Sequence, residues 1–388
     1  MESISDKQGV LLLIQSSLWN KIRISVNHKI YDAMKEHAII TLSASILSIL
    51  DISDDLYKLW ERSIYKQLAF NAKCRRIQAE LPLSVPYVIL KGTEAAKYYP
   101  YPMYRALGDI DIITRHEDFS IALKELLDAG YKVEKQYDRE VGLIKDGVMV
   151  ELHRSFAKLN NPAHAEYLDN IIIRNINPTH SLPDQINGLV LLEHISQHLV
   201  TGLGLRQIID WMMFTNKCLS DEEWSDFQVL ARNIGLEKLA IVITRMCEIY
   251  LGLPERKWCE SADRSICDQL MEYVLASGNF GSKRDNDRGN TENVFIYARN
   301  PAAIFKLLQK QGIKNWKALN DFPVLRPLAW CYQAARYLHK GLLQDNAGTE
   351  LREAFIEAKK RRAMFDALGV RQDSKGLVVY KNGKYVKE

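Results

Sequence analysis

YRALGDIDIITR, residues 104–115, sets Asp109 and Asp111 two positions apart in a run of isoleucines, directly after Gly108. Side chains of a strand alternate between its faces, so positions i and i+2 share one. The run therefore reads as a strand that carries Asp109 and Asp111 side by side while Ile110, Ile112 and Ile113 secure it to a core. Further on, VMVELH at 148–153 reads as a second strand with Glu151 and His153 on one face. If the two strands are neighbours, three carboxylates converge. Two like charges about 4 Å apart repel by about 4 kcal/mol at an effective dielectric near 20. A divalent cation removes that penalty, and oxygen ligands of this kind suit Mg2+ or Mn2+. Taken alone, Asp-x-Asp reads first as a solvated strand end, so its surroundings decide.

The upstream stretch VILKGTEAA, 88–96, is a short apolar strand that ends in Gly92 and passes Thr93, a candidate cap, to a helix start. Such a strand–turn–helix presents free backbone N–H groups and a positive dipole end, which bind phosphate. Gly92 permits close backbone approach, and Lys91 and Arg105 supply cations for the remaining oxygens.

Around this centre the texture divides the chain. NHKIYDAMKEHAIITLSASILSIL (27–50) and DDLYKLWERSIYKQLAFNAKCRRIQAE (54–80) repeat apolar residues at helical steps, and two prolines in ELPLSVP then break the pattern. HEDFSIALKELLDAGY predicts a helix with an apolar stripe of Phe119, Ala122, Leu123, Leu126 and Leu127 and a stop at Gly130. YKVEKQY and VGLIKDGVMVELH predict further strands, the latter turning at Asp146–Gly147. Helical patterns then continue to about residue 367, and GLVVYKNGKYVKE predicts a closing hairpin about Asn382–Gly383. The expected class is α+β: a helical region over 1–84, a small mixed-sheet core over 85–156, a second helical region over 157–367 and a β-hairpin tail over 368–388. Residues 278–293, with three glycines and Phe280 as the sole large apolar side chain, read as a mobile loop.

The bulk numbers exclude several classes. With 52 Lys and Arg against 48 Asp and Glu, the formal charge of +4 does not mark a nucleic-acid or membrane binder. Residues 352–388 alone carry ten basic and five acidic residues, a net +5, so the rest is about neutral. Six scattered cysteines without CxxC spacing suit reduced thiols, and no stretch approaches the length of a bilayer span. A cytoplasmic protein with no membrane association is the expectation.

LKG, followed by RALGDIDIITR and VELH, resembles the DNA polymerase beta-like nucleotidyltransferase superfamily. Its pattern is strand, Gly-Ser type turn, helix, strand with Asp-x-Asp, and a later strand with a third acid. More closely, the chain is similar to the group of uncharacterised nucleotidyltransferases, whose GLRQ...D segment is matched by GLGLRQIIDW at 202–211. The resemblance covers residues 85–215 best. It implies that Asp109, Asp111 and Glu151 hold the metals and that Gly92 with Thr93 forms the phosphate turn; Lys91, Arg105 and Gly108 join them as candidate nucleotide-binding residues. Threonine stands for the usual serine, and the interval from Gly92 to Asp109 is longer than the common one.

Weaker constellations lie downstream. His194 and His198 stand four apart on a helix but lack a third ligand, which favours a structural pair or a substrate contact. Arg206 and Asp210, also four apart, lie opposite the stripe Leu205, Ile208, Ile209 and Met212; they read as a surface ion pair or, through the resemblance, as cleft residues. His153 reads as a brace for Glu151 or an acceptor contact. The run Lys359–Arg362 reads as the cationic end of a helix.

The implied activity is Mg2+-dependent (or Mn2+-dependent) transfer of a nucleotide from ATP or another NTP to a hydroxyl or phosphate of a small molecule or peptide, releasing pyrophosphate. A toxin-like enzyme acting on tRNA, with nucleic acid as the second-choice partner, and a catalytically silent accessory protein are the rivals.

Overall fold

The computed structural model describes residues 5–278, 301–319, 322–343, 347–370, 378–381 and 384–387. Most of the expected mobile loop and the Asn382–Gly383 turn lie outside the described residues. The chain divides into two compact units, residues 1–283 with 378–386, and residues 284–377 with 387–388.

The first unit is built on a five-stranded sheet of β1 (Tyr87–Leu90), β2 (Ile110–Thr114), β3 (Lys132–Gln136), β4 (Glu140–Lys145) and β5 (Val148–His153), in the order β1-β2-β5-β4-β3. β2 and β5 run parallel; the other three pairings are antiparallel. β4 and β5 are joined at Asp146 and Gly147, both at positive φ (51° and 74°), as a two-residue hairpin turn requires. One sheet face is apolar. Tyr87, Ile89, Ile110, Ile112, Val141, Leu143, Val150 and Leu152 pack there against Cys74 and Ile77 of α3 (Asp54–Ala79) and Phe119, Ala122 and Leu126 of α5 (Phe119–Asp128). The period-two alternation leaves Asp111, Ile113, Glu140, Gly142, Glu151 and His153 on the opposite face. β2 is nonetheless buried along its whole length, because helices cover that second face too.

Those helices come from both sides of the core. α1 (Asp6–Leu18) and α2 (His28–Glu36) precede α3, and α6 (Pro162–Arg174), α7 (Asp184–Thr201), α8 (Leu205–Cys218), α9 (Trp224–Asn233), α10 (Glu237–Leu251) and α11 (Arg264–Ser277) follow the sheet. Gln15 of α1 and Trp19 just after it donate to the carbonyls of Tyr250 and Leu251 at the end of α10, so the early and late helices form one body around the sheet. α8 is buried at every position from Leu205 to Thr215. That corrects the expectation of a surface pair: Arg206 and Asp210 are 7% and 1% exposed. The strands Val378–Lys381 and Lys384–Lys387 form a two-stranded sheet, as the tail sequence led us to expect. In the second unit, helices Pro301–Asn315 and Ala329–Leu343 pack together, with Gly312 against the Ala329 carbonyl where no Cβ would fit. The helix Ala347–Ala367 carries the basic run within it, and Arg361 is buried with its guanidinium over the Phe365 ring, not solvated.

Candidate active site

β2 and β5 bring the acids together by register. Asp111 stands directly opposite Glu151, and Ile113 opposite His153. Ligand atoms of Asp111, Glu151 and His153 all lie within 4.8 Å of one another. Asp109, one residue before β2, precedes Asp111 on the same side of the strand and acts electrostatically on Lys91, Arg105 and Glu151.

Asp111 and Glu151 are each met by a cation. Lys91 Nζ lies 2.8 Å from Asp111 Oδ1, in a position its backbone makes possible: Lys91 adopts φ 55°, ψ −131°, a conformation that costs a non-glycine residue energy and is kept where the surroundings enforce it. His153 Nε2 lies 2.9 Å from the same oxygen, and its Nδ1 is 3.4 Å from Glu140 Oε2 on β4. His153 thus braces Asp111 more closely than Glu151, which is 3.8 Å away. Lys135 of β3 pairs with Glu151.

The electrostatics follow from burial and these partners. Burial alone would raise Asp111, but Lys91 and then His153 outweigh it and hold the carboxyl well below its usual range. Glu151 is raised, first by burial and then by Asp111, despite its bond with Lys135. Like charges facing each other separate their titrations in this way. Burial would lower Lys91, yet Asp111 and Asp109 bring it up to about 12. Glu140 is held down to about 2, chiefly by the nearby His153.

The remaining sequence-predicted residues fall around this centre in unequal ways. α4 (Gly92–Ala96) begins at Gly92, whose φ of 33° suits glycine. Thr93 is not its cap: the hydroxyl donates to Gln78 of α3 at 2.8 Å. Arg105 is enclosed and forms a two-point pair with Asp210, Nε to Oδ1 at 3.0 Å and Nη2 to Oδ2 at 2.6 Å. Tyr99 donates to that same carboxylate at 2.7 Å. Asp210 therefore forms its two-point pair with Arg105 while also acting through its charge on its helical neighbour Arg206. Arg206 instead reaches toward the acidic loop, with Nη1 3.8 Å from where a Cβ on Gly108 would stand. His194 and His198 are packed ring edge to ring face at 4.8 Å between centroids. Burial and then Lys91 push His194 well down and His198 down to about 3, so both rings are neutral beside the cations.

Several contributors were not singled out from the sequence. Asn71 of α3 donates to the carbonyls of Met103 and Arg105 and accepts from the Leu107 N–H, clamping the loop that delivers Asp109. Glu140 orients His153. Lys135 reaches Glu151 across a strand. Glu193 of α7, fully buried, accepts from the Lys158 N–H at 2.6 Å at the exit of β5. Nothing in local spacing marks these residues, because each partner is distant in sequence.

A family described as uncharacterised nucleotidyltransferase matches residues 27–252, more than half the chain. The chain belongs to that family. The match takes in the whole five-stranded sheet and the helices from α2 to α10, and thus every residue of the acidic centre. Among curated proteins and among solved structures, no match was found. Nucleotidyltransferases transfer a nucleoside monophosphate with the help of divalent cations, and the donor set fits such an ion. Two carboxylates and an imidazole converge, and in this arrangement ammonium and imidazole groups stand against the oxygens that a dication would otherwise neutralise.

Among the described residues, no helix is long and apolar enough to cross a membrane.

Proposed function

We propose that this protein transfers a nucleoside monophosphate from an NTP to a hydroxyl or phosphate of a small molecule or peptide and releases pyrophosphate. The observation that carries the reading is the facing of Asp111 and Glu151 on adjacent parallel strands, with cations drawn onto both. Asp109, Asp111 and Glu151 would hold Mg2+ or Mn2+, which when bound neutralises phosphate oxygens and makes the acceptor oxygen a better nucleophile. His153, fixed by Glu140, keeps Asp111 oriented. Lys91, at the turn before α4, is placed to pass from Asp111 to a phosphate oxygen once the acid is otherwise neutralised. Gly92 and Gly108 let the backbone come close to the triphosphate, and Arg206 adds positive charge beside Gly108. Arg105 supports this arrangement through Asp210 and is not placed as a phosphate ligand. The attacking oxygen and the departing pyrophosphate lie roughly in line in such transfers.

The near-neutral charge of residues 1–351 favours a small acceptor, since a groove that follows a nucleic-acid backbone needs clustered cations. The net +5 of residues 352–388 is the contrary observation, reduced by the burial of Arg361. Incubation with each α-labelled NTP, against tRNA and against a metabolite extract, tests the choice. Label on a small molecule is the expected result. Label on tRNA that is lost at raised salt would establish the nucleic-acid reading, and no label on either with any NTP would favour a silent protein.

A further inference from the structure

Lys135 reaches Glu151 by an indirect path. It lies on β3, and Glu151 lies on β5, two strand spacings or about 10 Å away at the backbone. The strand between them is β4, and the residue in register with both Lys135 and Glu151 is Gly142. The lysine stem lies directly over that glycine: a Cβ at 142 would stand 2.7 Å from both Cγ and Cε of Lys135, and 3.3 Å from Cδ. A methyl group there would displace the stem from its second carbon onward, so it could not be absorbed by a shift of the ammonium tip. The absent side chain at 142 is therefore the channel that admits Lys135 to the acidic centre.

The two lysines of the centre differ in how firmly they are held. Lys91 is enclosed, with 13% of its side chain exposed, whereas Lys135 keeps 35% exposed and can withdraw into water. Of the two facing acids, its partner Glu151 is the one that the other cations leave less served, because Lys91 and the nearer contact of His153 both go to Asp111.

We propose that Lys135 is a tethered counter-ion that competes with a divalent cation for Glu151, and that Gly142 is the opening that makes this competition possible. The inference rests on the reading of Asp111 and Glu151 as metal ligands. With the lysine on, Glu151 stays neutralised and the centre stays compact; with a cation bound, the ammonium is released toward solvent on the open side of β3. Affinity for the ion is then reduced by the fraction of molecules whose Glu151 is free. If that fraction is roughly one in ten, removing the lysine tightens binding about tenfold.

Titration calorimetry of the full chain with MnCl2 at pH 8, without nucleotide, tests this. Lys135→Met and Gly142→Ala should each tighten Mn2+ binding about tenfold, and the double variant should gain no more than either alone. Gly142→Ala changes no charge, so a gain there cannot come from a general change in potential. Lys158→Met, which removes a cation bound to Glu140 and not to Glu151, should gain clearly less. In thermal melts, metal-free Lys135→Met should be less stable than wild type but rise further on addition of Mn2+. If Gly142→Ala does not fold, Lys135→Met and Lys135→Gln carry the test. Unchanged or weaker binding in the lysine variants overturns the proposal while leaving the metal site standing. Absence of Mn2+ binding in every variant and in wild type removes both.

Discussion

Asp111 carries two buried or nearly buried cations, and this changes what its removal should do. From the sequence alone, an isolated pair of acids suggests that Asp→Asn would relieve repulsion and cost little stability. In the structure Asp111→Asn takes the charge away from Lys91 and His153 together, leaving an enclosed ammonium poorly compensated. Breaking a buried pair of this kind costs on the order of 3–5 kcal/mol. Asp111→Asn should therefore lower the urea midpoint markedly, whereas Asp109→Asn, which is only partly buried, should not. A second prediction concerns Glu193, which burial raises from 4.5 to about 7 against the opposing hydrogen bond from the Lys158 N–H. Its folded form prefers the proton, so the stability it contributes is present below pH about 4.5 and is lost as pH rises toward about 7. The full change is on the order of 3 kcal/mol. Glu193→Gln should flatten the pH dependence of Tm over that interval, and an unaltered slope would remove Glu193 as its source.

At the scale of elements, the legible and illegible parts of the site separate by sequence distance. Asp109, Asp111, Glu151 and His153 could be read because period-two alternation tells which residues of one strand share a face. The Asp146–Gly147 turn and α5 were equally visible in local composition. Spacing four apart on a helix says that Arg206 and Asp210 are neighbours, but not that α8 would be enclosed on every side, so Arg105 as a partner of Asp210 stayed hidden. Lys135 was illegible for a stronger reason: its role needs the register of three strands at once, and YKVEKQY shows only an exposed edge strand. Asn71 was hidden inside an amphipathic helix pattern, though it holds the 103–107 loop by bonds to residues more than 30 positions away. Asn71→Ala should strand those buried backbone groups at roughly 1–3 kcal/mol each in the worst case. We expect a lowered urea midpoint together with a fall in transfer rate, because the same loop positions Asp109. A loss of stability with an unchanged rate in the folded fraction would show that the loop does not set the acid.

Across the first unit, the C-terminal hairpin closes back on the sheet. Tyr380 Oη lies 3.0 Å from His116 Nδ1 after β2, and Tyr385 binds the Asp169 carboxylate on α6, with Arg139 over its ring at 5.7 Å. Asp169 in turn accepts from the N–H groups of Phe156 and Ala157, which follow directly on β5. The tail thus anchors the exit of the strand that carries Glu151. Tyr385→Phe should cost roughly 1–3 kcal/mol by leaving a buried carboxylate oxygen short of a donor, measurable by chemical denaturation. The sheet carries the acidic centre, while α3 and the tail hold the segments that lead into and out of its strands. The direct test is pyrophosphate release from each NTP in the presence of metabolite extract, with and without Mg2+, for wild type, Asp111→Asn and Glu151→Gln, normalised to folded protein. The account predicts Mg2+-dependent release by the wild type. Because even supporting groups around a metal cost ten- to a hundredfold, it also predicts losses greater than about a hundredfold in both variants. Release that persists in either variant at the wild-type rate, or that proceeds without a divalent cation, would contradict it.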